Sequence, residues 1–353
     1  MATNDAQAPL LDSVSTEELP SHERDDRLWF ADGNIKIRVE DKMDFLIHRG
    51  VIARHSPVFA KKLLEVPMTI TPKDSNEPRI PILVLPRKKY ETRGITNILL
   101  AIYEPEFWNC ASYEIPLTDI LNMAHYTYIF QMESLFRQAI RHLQYYIPQP
   151  LEFPWGHPAQ KSSILTRQLS VDHLLQALRV VILSRIIWFL PSLTYELCLL
   201  STRQVTTSNY WTTLTPGMQQ YILHARYELS SNWSILNFFA HLPASRCLSR
   251  PECEKINKRW YLEMIAERER HRRALKELTF DVHGSGTKQH ICEPCTIVAK
   301  EIHLQSLKKI WEDLPKVFYA NHDWKYYRAL EKMAITEFKA FKKESEKWRE
   351  VFQ

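Results

Sequence analysis

Glycine is scarce: the chain of 353 residues has seven, and only Gly284 and Gly286 lie close together. Neither G-x-G-x-x-G nor G-x-x-x-x-G-K can be written anywhere, which excludes the common backbone cradles for nucleotide phosphate. Long apolar runs are lacking too. The longest, Leu174 to Leu190, is interrupted by Arg179 and Arg185 and stopped by Pro191. Two guanidiniums at that depth oppose burial in lipid, so the stretch reads as a buried helix and not a membrane span. The start of the chain has no basic segment followed by an apolar run and a small-residue cleavage site, so an intracellular chain, cytoplasmic or nuclear, is expected. Charge of one sign is missing as well. Lysine and arginine number 46 against 41 acids, a net +5 too dispersed to argue for nucleic acid. No H-E-x-x-H, G-x-S-x-G or kinase-type set occurs, and no C2H2 finger or basic zipper. A non-catalytic chain with protein partners, no membrane association and no direct nucleic-acid contact is the expectation.

What is present is ordinary globular composition, 45% hydrophobic and 25% charged, with room for two domains. The chain is organised around Phe45 to Phe59, FLIHRGVIARHSPVF. Phe45 and Ile47 alternate with Leu46 and His48 as in the end of a half-buried strand. From Val51 the period changes: Val51, Ile52, His55, Phe59 and Leu63 fall at helical spacing. Ser56-Pro57 predicts a helix restart, because a serine oxygen can cap free amides and a proline at the first helical position gives up an amide that has no partner. Before it, Ile35, Ile37 and Val39 alternate with Lys36, Arg38 and Glu40, and Asp41-Lys42 supplies a turn. The residues predict a hairpin leading into two short helices.

The succession DGNIKIRVEDKMDFLIHRGVIARHSPVF resembles the start of a BTB/POZ domain, in which a strand and a turn precede F-x-[AVI]-H-[KR]-x-[VI]-[LI]-A-x-x-S-x-x-F. Phe45, Ile47, His48, Arg49, Val51, Ile52, Ala53, Ser56 and Phe59 match. LWFADGN, Leu28 to Asn34, is similar to the opening of many fungal BTB proteins, with Asn34 where animal BTB domains usually carry aspartate. Tyr103 resembles the aromatic of the family's "IYxG" ending, with Glu104-Pro105 in place of the glycine turn. The resemblance covers about Leu28 to Tyr146. It implies an α+β BTB/POZ-like domain, a small sheet capped by helices, in which Phe45, His48, Arg49 and Ser56 are structural. It also implies association with itself or another BTB chain, with Val51, Ile52, Phe59 and Leu63 as candidate interface residues or, equally, intrachain core. Two uses follow from it: an adaptor bringing targets to a cullin-type ubiquitin ligase, or a transcriptional regulator acting through protein partners.

Residues 1–27 are polar and acid-rich without apolar period and read as a disordered lead-in. The BTB-like domain is placed at 28–147. It holds a further strand at Ile80 to Leu85, with Pro81 marking an edge or strand start, and helices over Gly94 to Tyr103 and, as a pair, Thr118 to Tyr146. A proline-rich linker, 148–170, follows. Residues 171–353 are predicted to be all-α, with helices over Val171 to Leu200, Pro216 to Leu229, Trp233 to His241, Glu252 to Leu278, Thr296 to Leu314 and Asp323 to Val351.

Four of the six cysteines fall in this second domain as Cys247-x5-Cys253 and Cys292-x2-Cys295, separated by a loop with His283 and His290. Thiolates so spaced can grip one tetrahedral ion, and two pairs close a structural zinc site; unligated thiols are the plain alternative. A redox C-x-x-C lacks the βαβ context. The charge run Glu263 to Lys276 alternates acids with arginines and lacks aromatics, so it reads as a solvated face and not a phosphate stripe. Leu330, Ala334, Phe338, Phe341, Trp348 and Phe352 make the last helix amphipathic, and packing on its own domain is expected over docking to a partner.

Overall fold

The computed structural model of the chain describes residues 23–39, 43–66, 80–86, 90–109, 114–147, 169–231, 240–266, 291–317 and 322–348. It is mixed α/β and divides into two compact units, the first ending at Tyr103 and the second beginning at Glu104. The proline-rich segment 148–168, the charge run from 267 onward, His283, His290 and Phe352 lie outside the described residues.

The first unit holds a four-stranded sheet in the order β1-β3-β2-β4, formed by β1 (Glu23–Trp29), β2 (Ile35–Val39), β3 (Met43–Ile47) and β4 (Ile82–Leu85). β2 and β3 form the antiparallel hairpin that the alternation predicts, in register Ile37 to Phe45 and Arg38 to Asp44. That register lets the Arg38 guanidinium grip the Asp44 carboxylate with two bonds of 2.8 Å. β4 returns parallel to β2 at the sheet edge. β3 and β4 therefore run in opposite directions, and the segment holding α1 (Arg49–His55) and α2 (Pro57–Glu65) leaves and re-enters the sheet at the same end.

Two expectations are corrected here. Residues 23–27, read as part of a disordered lead-in, are in β1, which lies parallel to β3. An edge strand is held by its backbone ladder, so it can be polar; in β1 only Leu28 is buried, and no apolar period announces it. β3 is not half-buried: Phe45, Leu46 and Ile47 are all buried, as befits an internal strand covered on both faces. The turn between β1 and β2 explains one glycine. A Cβ on Gly33 would lie 2.7 Å from the Leu46 side chain and 2.9 Å from the Phe30 carbonyl oxygen.

Ser56 works as the sequence predicts. Its side-chain oxygen accepts from the Phe59 amide at 3.0 Å, with Pro57 at the helix start. Such a cap stabilises by about 1 kcal/mol. The start of α1 has a cap that the sequence reading missed: the Asn34 side-chain oxygen accepts from the Arg49 amide at 2.7 Å. α3 (Thr92–Tyr103) completes the unit. Its last residue, Tyr103, accepts a bond from the His48 amide at 2.9 Å and stacks on Phe30 at 4.8 Å.

In the second unit, every regular element among the described residues is helical: α4 (Glu106–Asn109), α5 (Leu117–Ile129), α6 (Glu133–Tyr146), α7 (Val171–Leu183), α8 (Leu190–Leu199), α9 (Thr202–Thr206), α10 (Pro216–Ser231), α11 (Arg250–Ala266), α12 (Glu293–Val317), α13 (Trp324–Thr336) and α14 (Phe338–Ser345). The helix pair α5 and α6, which the sequence reading groups with the sheet, belongs to this unit. α5 is apolar nearly all round, burying Ile120, Leu121, Met123, Ala124, Tyr126 and Tyr128, so it needs cover on more than one side. α6 and α7 both pack on it.

The stretch expected to be one helix from Val171 to Leu200 is two. α7 ends at Ser184-Arg185, where Arg185 takes φ 60° and its guanidinium donates to the Ile182 carbonyl at 3.1 Å. Pro191 then begins α8 instead of stopping a helix, since a proline in the first turn sacrifices no helical bond. The last helix breaks likewise at Glu337 into α13 and α14, but its apolar face does what was expected. Leu330, Ala334, Phe338, Phe341 and Trp348 are buried within the unit. Phe341 is the hub, with ring centroids 5.9 Å from Phe136, 6.3 Å from Tyr128 and 5.6 Å from Trp188.

Candidate metal centre

Among the described residues, one group of three or more histidine, cysteine and acidic side chains comes close enough to share an ion: Cys247, Cys253, Cys292 and Cys295. Local sequence explains how they meet. Ser249-Arg-Pro-Glu is a helix-start signal, and the Ser249 hydroxyl bonds the Glu252 carboxylate at the head of α11, which puts Cys253 in the first helical turn. Glu293-Pro294 opens α12 in the same manner and puts Cys295 in its first turn, with Cys292 just before it. Cys247 sits in the turn ahead of α11, its amide bonded to the Ala244 carbonyl at 3.0 Å. The five residues between Cys247 and Cys253, long for a knuckle, are therefore a turn plus a helix start.

The four sulfur atoms all lie within 4.8 Å of one another, and Cys247 Sγ and Cys292 Sγ are 3.6 Å apart. A tetrahedral zinc with bonds of about 2.3 Å places its sulfurs about 3.8 Å apart, so the constellation fits one ion. Backbone amides aim at the sulfurs. Ala244 N–H donates to Cys295 Sγ at 3.2 Å, Leu248 N–H to Cys292 Sγ at 3.4 Å, and Cys292 N–H to Cys253 Sγ at 3.3 Å. Amides and two helix N-termini favour thiolate over thiol.

Burial opposes ionisation and wins at Cys253 and at Cys295, whose thiol is pushed up to about 12. At Cys292 burial also pushes up, but bonds from Leu248, Cys295 and Cys247 outweigh it and bring the thiol down to about 6. Around the sulfurs, Leu242, Ala244, Ile256, Ile291 and Ala299 form a small apolar core. The site is thus a knot tying the turn before α11 to the start of α12. Four sulfur ligands leave no position for a reacting water, so an ion here could only be structural.

The first-unit candidates behave differently. Ile52, Phe59 and Leu63 are core residues, exposed by 2% or less, and of the four proposed interface side chains only Val51 reaches the surface, at 37%. Helical spacing cannot tell the stripe that faces a sheet of the same chain from one that faces a partner. Phe45 is fully buried. His48 Nε2 lies 3.1 Å from the Asp32 carboxylate, and Arg49 donates to the Leu63 carbonyl at 3.1 Å, joining α1 to α2.

No family model, curated protein or solved structure matches the chain. Its chemistry is therefore judged from its own residues.

Among the described residues, one partly buried serine–histidine contact bears on catalysis. His125 Nδ1 lies 3.2 Å from Ser184 Oγ, but Ser184 is fully buried, which keeps its hydroxyl from a substrate. Burial first, and then the Arg179 charge, bring His125 down to about 4 from 6.5. Between those values the unfolded chain binds a proton that the folded chain refuses, so stability is full above about pH 6.5 and is lost as pH falls toward 4. The shift corresponds to about 3 kcal/mol. Urea unfolding at pH 7 and pH 4.5 is expected to show a steeper acid loss in the wild type than in His125→Asn; equal losses would assign the acid sensitivity to other groups.

Proposed function

We propose that the chain is a non-catalytic protein-interaction protein whose helical unit is clamped by a structural zinc ion on Cys247, Cys253, Cys292 and Cys295. The observation that carries this is the meeting of four thiols from two helix starts within 4.8 Å, in a setting that gives an ion nothing to do but hold. Sulfur-only tetrahedral sets select zinc over calcium or magnesium, which take oxygen ligands.

The first unit is the association module in this proposal. A hairpin running into two short helices and a fourth strand parallel to the hairpin's first supports the BTB-like reading of residues 28–147 over the part that lies in this unit. With Ile52, Phe59 and Leu63 committed to the core, self-association would use what the unit leaves exposed: Val51, Leu64 at 78% exposure, and the outer edge of β1, which pairs with no further strand among the described residues. Light scattering on the full chain at tens of micromolar is expected to give twice the monomer mass, and Leu64→Glu combined with Val51→Glu is expected to lower it. A monomer at that concentration would contradict self-association and leave only association with a different chain.

A further inference from the structure

The four cysteines are not equivalent. Cys253 and Cys295 are 1% and 0% exposed, whereas Cys247 and Cys292 are half-buried. The two accessible sulfurs also touch each other, at 3.6 Å. They belong to different elements, one to the turn before α11 and the other to the start of α12. Arg246 and Leu248, on either side of Cys247, are exposed, Leu248 by 77%, so the approach to this edge of the cluster is open.

From this asymmetry we infer that the centre is a peroxide-sensitive clamp, in which oxidation joins Cys247 to Cys292 and expels the ion. The inference rests on the zinc reading above and adds its regulation. One accessible thiolate attacks hydrogen peroxide, breaking the O–O bond; with one proton taken up, a sulfenic acid and a water form. The second accessible sulfur then attacks the sulfenic sulfur, and with a second proton the disulfide and a second water are released. Overall, two thiolates are oxidised by two electrons, one peroxide is reduced to two waters, and zinc leaves unchanged as the divalent ion. The sulfurs need to close by about 1.5 Å to reach bonding distance. Cys253 and Cys295 alone supply two ligands, too few for a tetrahedral site. The disulfide ties the same two elements that the ion tied, so the fold stays linked, while the released thiolates of Cys253 and Cys295 each take up a further proton from water and become free thiols.

The test uses the full reduced chain, its zinc content measured first. Peroxide is then added in the presence of a metallochromic dye, and the cysteines are mapped by alkylation and peptide mass spectrometry. The expected result is release of about one zinc per chain, with the Cys247–Cys292 bridge exceeding any other pairing about tenfold, and Cys253 and Cys295 recovered as alkylated thiols. Dithiothreitol plus zinc restores the starting state. A bridge between Cys253 and Cys295, scrambled pairings, or zinc retained under excess peroxide would overturn the inference while leaving the zinc reading intact. Protein that carries no zinc before peroxide is added overturns the zinc reading and with it the expulsion step, and the pairing is then judged by the same mapping.

Discussion

Replacing Cys295 with serine is expected to abolish tight zinc binding and to loosen α11 and the first turns of α12. Cys295 is fully buried, accepts a bond from the Ala244 amide and sits in the small core of Ile256, Ile291 and Ala299. That core is small and is joined across a long stretch of intervening chain. In such a setting metal binding and local folding are one equilibrium, and a structural zinc contributes on the order of 10 kcal/mol to finger-sized domains. Loss of one ligand should cost several kcal/mol locally. Hydrogen exchange is expected to accelerate in α11 and the first turns of α12 while α5 to α8 keep their protection. Cys198→Ser is the control: Cys198 is buried in α8 outside the cluster, so its replacement should leave zinc bound. Unchanged exchange in Cys295→Ser would mean the knot holds without an ion.

The second large effect is expected at Phe341. Phe341→Ala removes a fully buried ring from contact with Phe136, Tyr128 and Trp188. Large-to-small changes at such sites cost about 3–5 kcal/mol, because transfer energy and the remaining cavity add. The neighbourhood cannot collapse easily. α14 also clasps Tyr128 through Lys342, whose ammonium donates to the Tyr128 carbonyl at 3.3 Å and lies 4.8 Å from its ring. Urea unfolding measures the loss directly. A change under about 1 kcal/mol would mean that the last helices do not complete the core of this unit.

These two sites differ in how legible they were. Phe341 was announced by spacing, since Leu330, Ala334, Phe338 and Phe341 form one helical stripe. The break at Glu337 was not, because no glycine or proline marks it and the β-branched pair Ile335-Thr336 lowers helix propensity only slightly. The cysteine centre was named by residue from the C-x-x-C and its looser partner pair. The x5 spacing is longer than a usual knuckle because it includes Ser249-x-x-Glu252, a helix-start signal that accounts for the extra residues. The amides of Ala244 and Leu248 could not have been found, because backbone donors carry no sequence mark.

In the first unit the alternation from Ile35 to Ile47 marks the hairpin, and the change of period at Val51 with Ser56-Pro57 marks both helices. It could not assign what the apolar stripe faces. Ile52, Phe59 and Leu63 look the same whether they cover their own sheet or a second chain, and only the sheet's position decides for the core. The strand at Glu23–Trp29 escaped because its pairing is made by backbone groups and its side chains are mostly solvated. The grouping of α5 and α6 with the sheet followed the resemblance over Leu28 to Tyr146 and the prolines after it, whereas packing follows the all-round apolar surface of α5.

The most direct test of the account is the metal content of the 353-residue chain, purified without chelator from zinc-replete cells and measured by mass spectrometry of the native protein and by elemental analysis. About one zinc per chain, falling below half an equivalent in Cys292→Ser, is the expected result. Less than about half an equivalent in the wild type, unaltered by Cys292→Ser, would show the four thiols to be an empty cluster and remove the clamp from the account.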